Sequence, residues 1–566
     1  MTQKNINNIR ICPVSRKCGG CQLMNMTYEE QLRFKQSKVT KLLSGFHKVS
    51  PIIGMETPFH YRNKVQAAFG RTRGGEIISG VYQSSTHNIV KTDSCLIEDK
   101  KADEIILTIR KLVKSFKLTV YDEKNGRGFL RHVLVKRGFS TNEIMVVLVT
   151  GTSVFPSKNA FVKELLKLHP DITTIVQNIN NKFTSMVLGD KETVLYGKGY
   201  IEDILCGCRF RISPKSFYQI NPVQTEVLYG KAVEFAGLTG KERVIDAYCG
   251  IGTIGIVASK SAGEVIGVEV NPDAVRDAKV NFKINDIENI SFYCADAGEF
   301  MVSMKEQGEK CDVLFMDPPR AGSDKKFLSC ALSLAPEKIV YISCNPETQQ
   351  RDLYYLTRNG YKVKKIQPVD MFPYTSHVET VVCLSRKNSN DKKQAFFENT
   401  KLLSDKLGIT PLMYGSLGLE YLTGENLNAD DIDILIPKAF ITERWTEFKS
   451  VLESNGYTLI DEHEHEFEKD GVHYSYAQIE ELESFADIGF SEIAAFSKEG
   501  VTYKLLSLPQ YLKVYTASSK DGYRTNVREK KDFDKIAFIQ KKLQEETHKI
   551  FPPKRITDET VALLVK

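Results

Sequence analysis

The chain has 566 residues, 42% hydrophobic and 26% charged, proportions of a folded globular protein that exclude wholesale disorder. No apolar run approaches the ~18 residues of a membrane-spanning helix, and the opening MTQKNINNIRICP lacks the apolar core of a signal peptide, so a soluble cytoplasmic protein with no membrane partner is expected. The net charge of +6 conceals an asymmetry: residues 1–390 carry 54 Lys+Arg against 40 Asp+Glu, residues 391–566 carry 23 against 31, and all 12 cysteines lie in the first part.

Clustered cysteines open the chain. Cys12, Cys18 and Cys21 form C-x5-C-x2-C in CPVSRKCGGCQ, with Cys95 as the expected fourth member. In a cytosolic chain this spacing argues for metal or cluster ligation rather than disulfides, and Gly19 and Gly20 let the backbone turn tightly around a ligand. Four thiolates suit zinc or an iron–sulfur cluster, and spacing does not separate the two. Cys206, Cys208, Cys294, Cys311, Cys330 and Cys383 stand singly or in a lone C-x-C and read as structural.

Residues 1–100 are read as the N-terminal cysteine region and 101–215 as a central α+β region. The latter carries helix-like KKADEIILTIRKLVKSF and NAFVKELLKLHP and strand-like HVLVKRGF, EIMVVLVTG and ITTIVQNIN. From about residue 241 the rhythm becomes strand–helix alternation, with apolar runs in RVIDAYCG, EVIGVEVN, ISFYCADA, CDVLFMDPP and KIVYISCNP. That pattern predicts a doubly wound parallel sheet over 216–388, which binds ligands at the carboxyl ends of its strands. SRKNSNDKK (385–393) reads as a polar linker to a separate acidic domain over 396–566.

The strand ends carry the chemistry. DAYCGIGTIG presents Gly250, Gly252 and Gly255 after a strand, where a backbone can approach a nucleotide cofactor and enter a helix at once. Glu269 ends the next strand, positioned for ribose hydroxyls, and Asp296 ends the third, positioned for an adenine amino group. DPPR (317–320) places Asp317 and two prolines at the fourth end, a rigid turn suited to a planar base beside a methyl donor; SCNP (343–346) places a thiol at the fifth. NAD chemistry has no need of that thiol. Methylating carbon 5 of uracil does: a thiolate added at carbon 6 makes carbon 5 nucleophilic, and a base must then remove the carbon 5 proton. Cys344 is the expected nucleophile and Glu379, in SHVETVVCL, the expected base, with His377 the alternative.

FYQINPVQ, DAYCGIG, DPPRAG, SCNPET and HVETVV occur in the order and spacing of the RNA uracil-5 methyltransferases, which the chain resembles over roughly residues 10–385. The resemblance implies an α/β, Rossmann-like class I S-adenosylmethionine methyltransferase fold behind an α+β region with a four-cysteine cluster site. It implies S-adenosyl-L-methionine as methyl donor and a four-iron–four-sulfur cluster on Cys12, Cys18, Cys21 and Cys95. Cys344 is implied as nucleophile, Glu379 as proton acceptor, and Gln219, Tyr248, Glu269, Asp296 and Asp317 as cofactor contacts. Asn221 and Gln224, completing Q-x-N-x-x-Q, are candidates to touch the uracil, and Arg320 to steer the base or a phosphate. The expected partner is RNA, ribosomal (23S) first and transfer RNA second, met by a monomer. The cysteines begin at residue 12, leaving no room for the small N-terminal barrel of many ribosomal members, so RNA contact is expected from Arg62, Lys64, Arg71 and Arg73 and from Arg127, Arg131, Lys136 and Arg137.

In the acidic part, MYGSLGLEYLTGENLNADDIDILIP resembles the nucleotidyltransferase superfamily, with Gly-Ser for phosphates and Asp431 and Asp433 for Mg²⁺. Asp487 is the candidate third carboxylate, KDFDKIAFIQKKL (531–543) a C-terminal helix, and DEHEHEFEKD (461–470) a solvated acidic loop.

Overall fold

The structure, a computed structural model, describes residues 12–520, apart from single positions 85, 124, 185, 388, 426, 428, 430 and 499, and residues 532–545. The chain divides into two compact units, residues 1–356 with 362–386, and residues 357–361 with 387–566. Among the described residues no helix is long and apolar enough to cross a membrane.

The first unit opens with helices α1 (Ser15–Cys18) and α2 (Tyr28–Leu43). Thr27 and Glu30 cap α2 reciprocally, which fixes where the helix begins. Strands β1 (Lys64–Arg71), β2 (Ile77–Tyr82) and β3 (Ile89–Lys91) come next, then α3 (Lys100–Ser115), β4 (Leu130–Arg137), β5 (Ile144–Thr150), α4 (Lys158–Leu168), β6 (Ile172–Ile179) and β7 (Lys191–Tyr196). The seven strands form one sheet, ordered 3-2-1-4-5-6-7. The boundary expected at residue 100 therefore falls inside a single sheet. One face, with Val65, Ala67, Phe69, Val133 and Val135, packs on α3 and α4. The other, with Leu134, Met145, Val147 and Val149, joins the core of the domain that follows. Burial on both faces is why β5 reads as an unbroken apolar run, whereas β4 is buried along nearly its whole length yet carries Arg131, His132 and Lys136.

The hairpin β8 (Ile201–Leu205) and β9 (Cys208–Ile212) and helix α5 (Pro222–Ala236) lead into the alternating domain. It runs β10 (Arg243–Ala247), α6 (Thr253–Ser259), β11 (Glu264–Glu269), α7 (Pro272–Lys283), β12 (Ile290–Cys294), α8 (Ala297–Glu306), β13 (Val313–Met316), α9 (Lys325–Leu334), β14 (Lys338–Ser343), α10 (Pro346–Arg358), β15 (Tyr361–Val369) and β16 (Glu379–Arg386). The sheet order is 12-11-10-13-14-16-15, with β10 to β14 parallel and β16 antiparallel to β14. The order reverses at β10, so the carboxyl ends of β10, β11 and β13 flank a switch-point crevice.

The second unit contains α11 (Ser389–Leu407), β17 (Leu412–Met413), α12 (Gly415–Thr423), β18 (Ile432–Ile436), α13 (Trp445–Ser454), β19 (Thr458–Asp461), β20 (Glu466–Lys469), β21 (Val472–Gln478), α14 (Glu481–Ala486), β22 (Ala495–Lys498), β23 (Val501–Leu505) and α15 (Leu508–Ser518). Its sheet is ordered 19-20-21-18-17-23-22. Residues 532–545 are helical, where the sequence predicts a C-terminal helix. Two readings of the sequence change here. The expected linker is the end of β16 and the first turns of α11, because Phe396, Phe397, Leu403 and Leu407 bury one face of that helix and draw its polar start into helical form. The acidic 461–470 segment is mostly hairpin, β19 and β20 closing over a short exposed turn, with Phe467 buried between its charges.

Candidate active site

The glycine loop between β10 and α6 is held in unusual backbone. Gly250 and Gly252 have φ of +56° and +84°, and Tyr248 has φ of +63°, which few side chains tolerate. A Cβ on Gly252 would lie 2.6 Å from the Phe292 ring, whereas one on Gly250 would meet nothing within 4 Å. The loop is thus packed tightly beneath and open above. Glu269, ending β11, fixes it: its two oxygens accept from the N–H of Gly250 (3.1 Å) and of Asn271 (2.8 Å). Behind it, fully buried Asp246 accepts from the Gly255 N–H (2.8 Å) with one oxygen, while the other has no partner. Burial pushes the Asp246 carboxyl up to about 7, the Gly255 N–H opposing. Asp296 is exposed at the third strand end and caps α8 through the Glu299 N–H (3.0 Å). The Tyr248 ring leans on Phe327 (centroids 4.9 Å apart). These acids and glycines, on β10, β11 and β12, fit the adenosine and amino-acid parts of a methyl donor: an open cradle, carboxylates at its rim, and one orphaned carboxylate oxygen.

The thiol and its expected base come together across two strands. β14 and β16 pair antiparallel with Ser343 opposite Thr380, so the next step sets Cys344 beside Glu379, the first residue of β16. Asp317, following β13, and Arg320 complete the cluster. Burial, then the Glu379 charge, push the half-buried Cys344 thiol up to about 11, with Arg320 opposing. Glu379, 4% exposed, is pushed well above the ordinary carboxylate range by burial and by Asp317, again against Arg320. Burial alone lifts Asp317 to about 7. The two proline turns are tied together, for the carbonyl of Arg320 accepts from Asn345 Nδ2 (3.2 Å) and Thr348 Oγ1 (3.3 Å). His377 lies edge-on to Phe372 at the mouth, its pKa lowered by burial and by Arg320. A flat ring beside Cys344 would meet a sulfur, a carboxyl and a guanidinium.

Gln219 reaches the hydroxyl of Tyr229, which also sits 3.1 Å from Thr253 Oγ1, close to Asp317. Asn221 and Gln224 do not face this cleft. Asn221 is fully buried and donates to the Met371 carbonyl (2.9 Å), and Gln224 donates to that of Asp370 (3.0 Å). Their amides satisfy the backbone of the 370–376 loop rather than a base.

That loop is also held from the N-terminal segment, a constraint the sequence reading missed. Lys35 and Asp370, 335 residues apart, form an ion pair of 2.6 Å with both side chains fully buried. Lys35 also donates to the Phe372 carbonyl (2.9 Å), Tyr28 to Asp370 (2.9 Å), Tyr61 to the Pro373 carbonyl (2.9 Å), and the Tyr374 N–H to Gln31 (2.8 Å). No local pattern announces such a pair.

Cys12, Cys21 and Cys95 pack on one small cluster with Met24, Tyr61 and Ile97, and Cys18 lies within electrostatic reach of Cys12 and Cys21. Among the described residues, however, no three His, Cys, Asp or Glu side chains stand in metal-holding geometry. The second basic stretch does not present its cations as expected. Arg131 is buried against the carbonyls of Asn180 and Lys182, Lys136 against those of Ser213 and Ser216, and Arg137 pairs with Asp99; Arg127 is exposed. In the first stretch Arg71 and Arg73 are exposed, Arg62 and Lys64 half-buried.

In the second unit Gly415 (φ +63°) starts α12 against β18, and a Cβ there would collide with the Asp433 carboxylate. Lys535 donates to Ser416 Oγ (2.8 Å). Asp487 does not join them: it ends α14, is exposed and pairs with Lys513 (3.2 Å). β21, parallel beside β18, sets Ser475 opposite Asp433 and holds no carboxylate.

A family model described as tRNA (uracil-5-)-methyltransferase matches residues 27–387. An uncharacterized RNA methyltransferase of Halalkalibacterium halodurans is 45% identical over 382 residues, 67% of this chain and 83% of that one. Another from Oceanobacillus iheyensis is 47% identical over 379 residues, 66% of this chain and 82% of that one. Among solved structures, the Pyrococcus abyssi tRNA (uracil-54, C5)-methyltransferase in complex with S-adenosyl-L-homocysteine matches with a TM-score of 0.55 and 30% identity, covering 64% of this chain and 85% of that one.

Proposed function

The chain belongs to the tRNA (uracil-5-)-methyltransferase family, and from that premise we propose that it forms 5-methyluridine in RNA through a covalent bond between Cys344 and carbon 6 of the target uracil. The observation that carries the reading is the β14–β16 register that sets Cys344 beside Glu379. S-adenosylmethionine supplies an electrophilic methyl, with Gly250, Gly252, Tyr248, Glu269, Asp296, Asp317 and Gln219 as the residues that would hold it.

Cys344 first gives up its proton to solvent, helped by the Arg320 guanidinium. Its sulfur then bonds to carbon 6, and the ring's electron pair moves to carbon 5 and the carbonyl oxygen. Carbon 5 takes the methyl as the donor's methyl–sulfur bond breaks. Glu379 removes the carbon 5 proton, the carbon 6–sulfur bond breaks, and the thiolate leaves with its pair; Glu379 then releases the proton to solvent. Such a ring must leave its stack to reach a strand-end cleft, so an unpaired or flipped uridine is the substrate.

Ribosomal RNA is the target we name. Its support is the likeness of the front cysteines to the iron–sulfur members of the family. On that likeness we assign Cys12, Cys18, Cys21 and Cys95 a four-iron–four-sulfur cluster; Cys12, Cys21 and Cys95 share one small apolar cluster with Cys18 nearby, although the four thiols do not stand in metal-holding geometry. Purified protein brown in colour and bleached by chelation would fit the cluster, and a colourless zinc protein would refute it. Cys344→Ala should abolish methyl incorporation from labelled S-adenosylmethionine into unmodified RNA while RNA affinity stays within about twofold. Full activity in that variant refutes the mechanism, and mapping the labelled uridine to transfer RNA refutes the target.

For residues 396–566 we propose magnesium–nucleotide binding by Gly415, Ser416, Asp431 and Asp433, supported by the Gly-Ser helix start against Asp433 with Lys535 on Ser416. Calorimetric titration with magnesium–ATP should show binding that Asp433→Asn loses; no heat with the wild-type chain would refute it.

A further inference from the structure

A cavity of about 420 Å³ lies in the first unit, away from Cys344, lined among others by Tyr82, Tyr121, Glu123, Arg131, His132 and Phe183. Its size falls in the range of small-ligand sites, about 300–1,000 Å³. It opens on the sheet face opposite α3 and α4, because Gln66, which also lines it, alternates with Val65 and Ala67 of that core. Val187 at its edge packs against the core shared with the catalytic domain. The cavity and the catalytic domain therefore share one side of the sheet.

Its walls are aromatic and polar in a particular way. A bulge in β4 between Leu130 and His132 breaks the strict alternation and lets Arg131 and His132 both line the cavity. Arg131 is held by the Asn180 and Lys182 carbonyls, with its guanidinium 4.3 Å from the Tyr121 ring centre. Glu123 accepts from the Tyr82 hydroxyl (2.9 Å) and from His87 Nδ1 (2.8 Å). His132 is 5% exposed and its Nδ1 is buried without a partner. Burial and Arg131 push its pKa down to about 4, so the ring is neutral, with Nε2 3.5 Å from the Tyr82 hydroxyl. At the rim, Phe183 and Met186 stand 80% and 68% exposed, large apolar side chains left to water beside an aromatic slot. Stacking rings, a carboxylate acceptor and a neutral imidazole are what an unpaired base with an exocyclic amino group requires.

We propose that this cavity takes a second, unpaired base of the RNA substrate, one bearing an exocyclic amino group, stacked on Phe183 beside the Arg131–Tyr121 pair with the amino group toward Glu123. The inference rests on the RNA reading above, and the excess of basic residues in 1–390 agrees with a polyanion on this unit.

Fluorescence anisotropy of the full chain with labelled single-stranded oligo(C), oligo(A) and oligo(U) RNAs of about 15 nucleotides tests it. Oligo(C) and oligo(A) should bind more tightly than oligo(U). Phe183→Ala should weaken oligo(C) about 10-fold, the worth of one stacked base, and Glu123→Ala should erase the preference over oligo(U). Ultraviolet crosslinking of oligo(C), read by mass spectrometry, should place adducts on Tyr121 or Phe183. Wild-type affinity in both variants, or crosslinks confined to other peptides, overturns the proposal. Because Phe183 is solvent-exposed, an unchanged melting curve in Phe183→Ala separates lost binding from lost fold. Cys344→Ala should keep the oligo(C) preference. Wild-type protein that methylates uracil while Phe183→Ala binds normally sinks the pocket alone. Protein that shows the preference but methylates no RNA sinks the uracil reading alone.

Discussion

Replacing Lys35 by Met should loosen the loop that leads into Glu379 more than any single contact on its surface. Lys35 and Asp370 are 2.6 Å apart and fully buried. At an effective dielectric of about 20, unit charges that close attract by about 6 kcal/mol, most of it offset by taking both out of water. The pair's net contribution is therefore small, but removing one partner is not. The Asp370 carboxylate would keep only the Tyr28 hydroxyl, while the Phe372 carbonyl would lose one donor and keep Thr375 Oγ1 and the Thr375 N–H. An uncompensated buried charge costs about 3–5 kcal/mol. Burial already pulls the Lys35 ammonium below its ordinary pKa against the pull of Asp370, which is the same penalty seen from the other side. Hydrogen exchange of peptides spanning 28–43 and 368–378 measures the loss locally, as a protection decrease of about 10²–10⁴-fold. Fluorescence of Trp445, the chain's one tryptophan, reports the second unit and should not change. The double variant Lys35→Met/Asp370→Leu should recover at least half of the protection, because two apolar side chains leave no orphaned charge. Protection within about threefold of wild type in the single variant, or a double variant no better than the single, refutes the reasoning.

Glu379→Gln cannot take the carbon 5 proton, so the enzyme should stall after methyl transfer as a protein–RNA adduct. A denaturing gel should show it, and its absence with methylation intact would remove Glu379 as base. The steady-state rate of release of methylated RNA, which needs both the Cys344 thiolate and the Glu379 carboxylate, should rise with pH between about 7 and 9. Cys344, displaced upward to about 11, is mostly thiol at neutrality, and Glu379, also displaced upward, is lost as a base on acidification above the usual carboxylate range. A flat profile from about pH 6 to 9 would refute both shifts. Gly252→Ala forces a Cβ to within 2.6 Å of the Phe292 ring at φ +84°. It should weaken S-adenosyl-L-homocysteine binding at least about tenfold in calorimetry, and unchanged affinity would mean the loop does not hold the donor.

What was legible in the sequence was whatever the chain writes locally. Apolar runs bounded by Gly and Pro announced β10 to β14, since a parallel sheet covered on both faces leaves no polar alternation to confuse the reading. The ends of those runs also mark Glu269, Asp296, Asp317 and Cys344, which stand at or just past the last residues of β11, β12, β13 and β14. The two units do divide within 385–393, at Arg386/Lys387, but most of that segment is strand end and helix start, because the apolar anchors of α11 lie later, at Phe396 and Phe397. The second basic stretch was misjudged because a β-bulge and neighbouring carbonyls bury Arg131 and Lys136, and charge by itself does not reveal burial.

The amino-acid order alone determined the alternating domain and the residue types at its strand ends, a thiol and carboxylates among them. Tertiary structure decided which of them meet: that Glu379 comes back antiparallel to stand beside Cys344, that Asn221 and Gln224 bond to backbone carbonyls, and that Lys35 anchors the 370–376 loop from 335 residues away. Side-chain periodicity is a property of neighbours along the chain, whereas a cross-strand register or a buried ion pair depends on chain closure over hundreds of residues, which no local window contains.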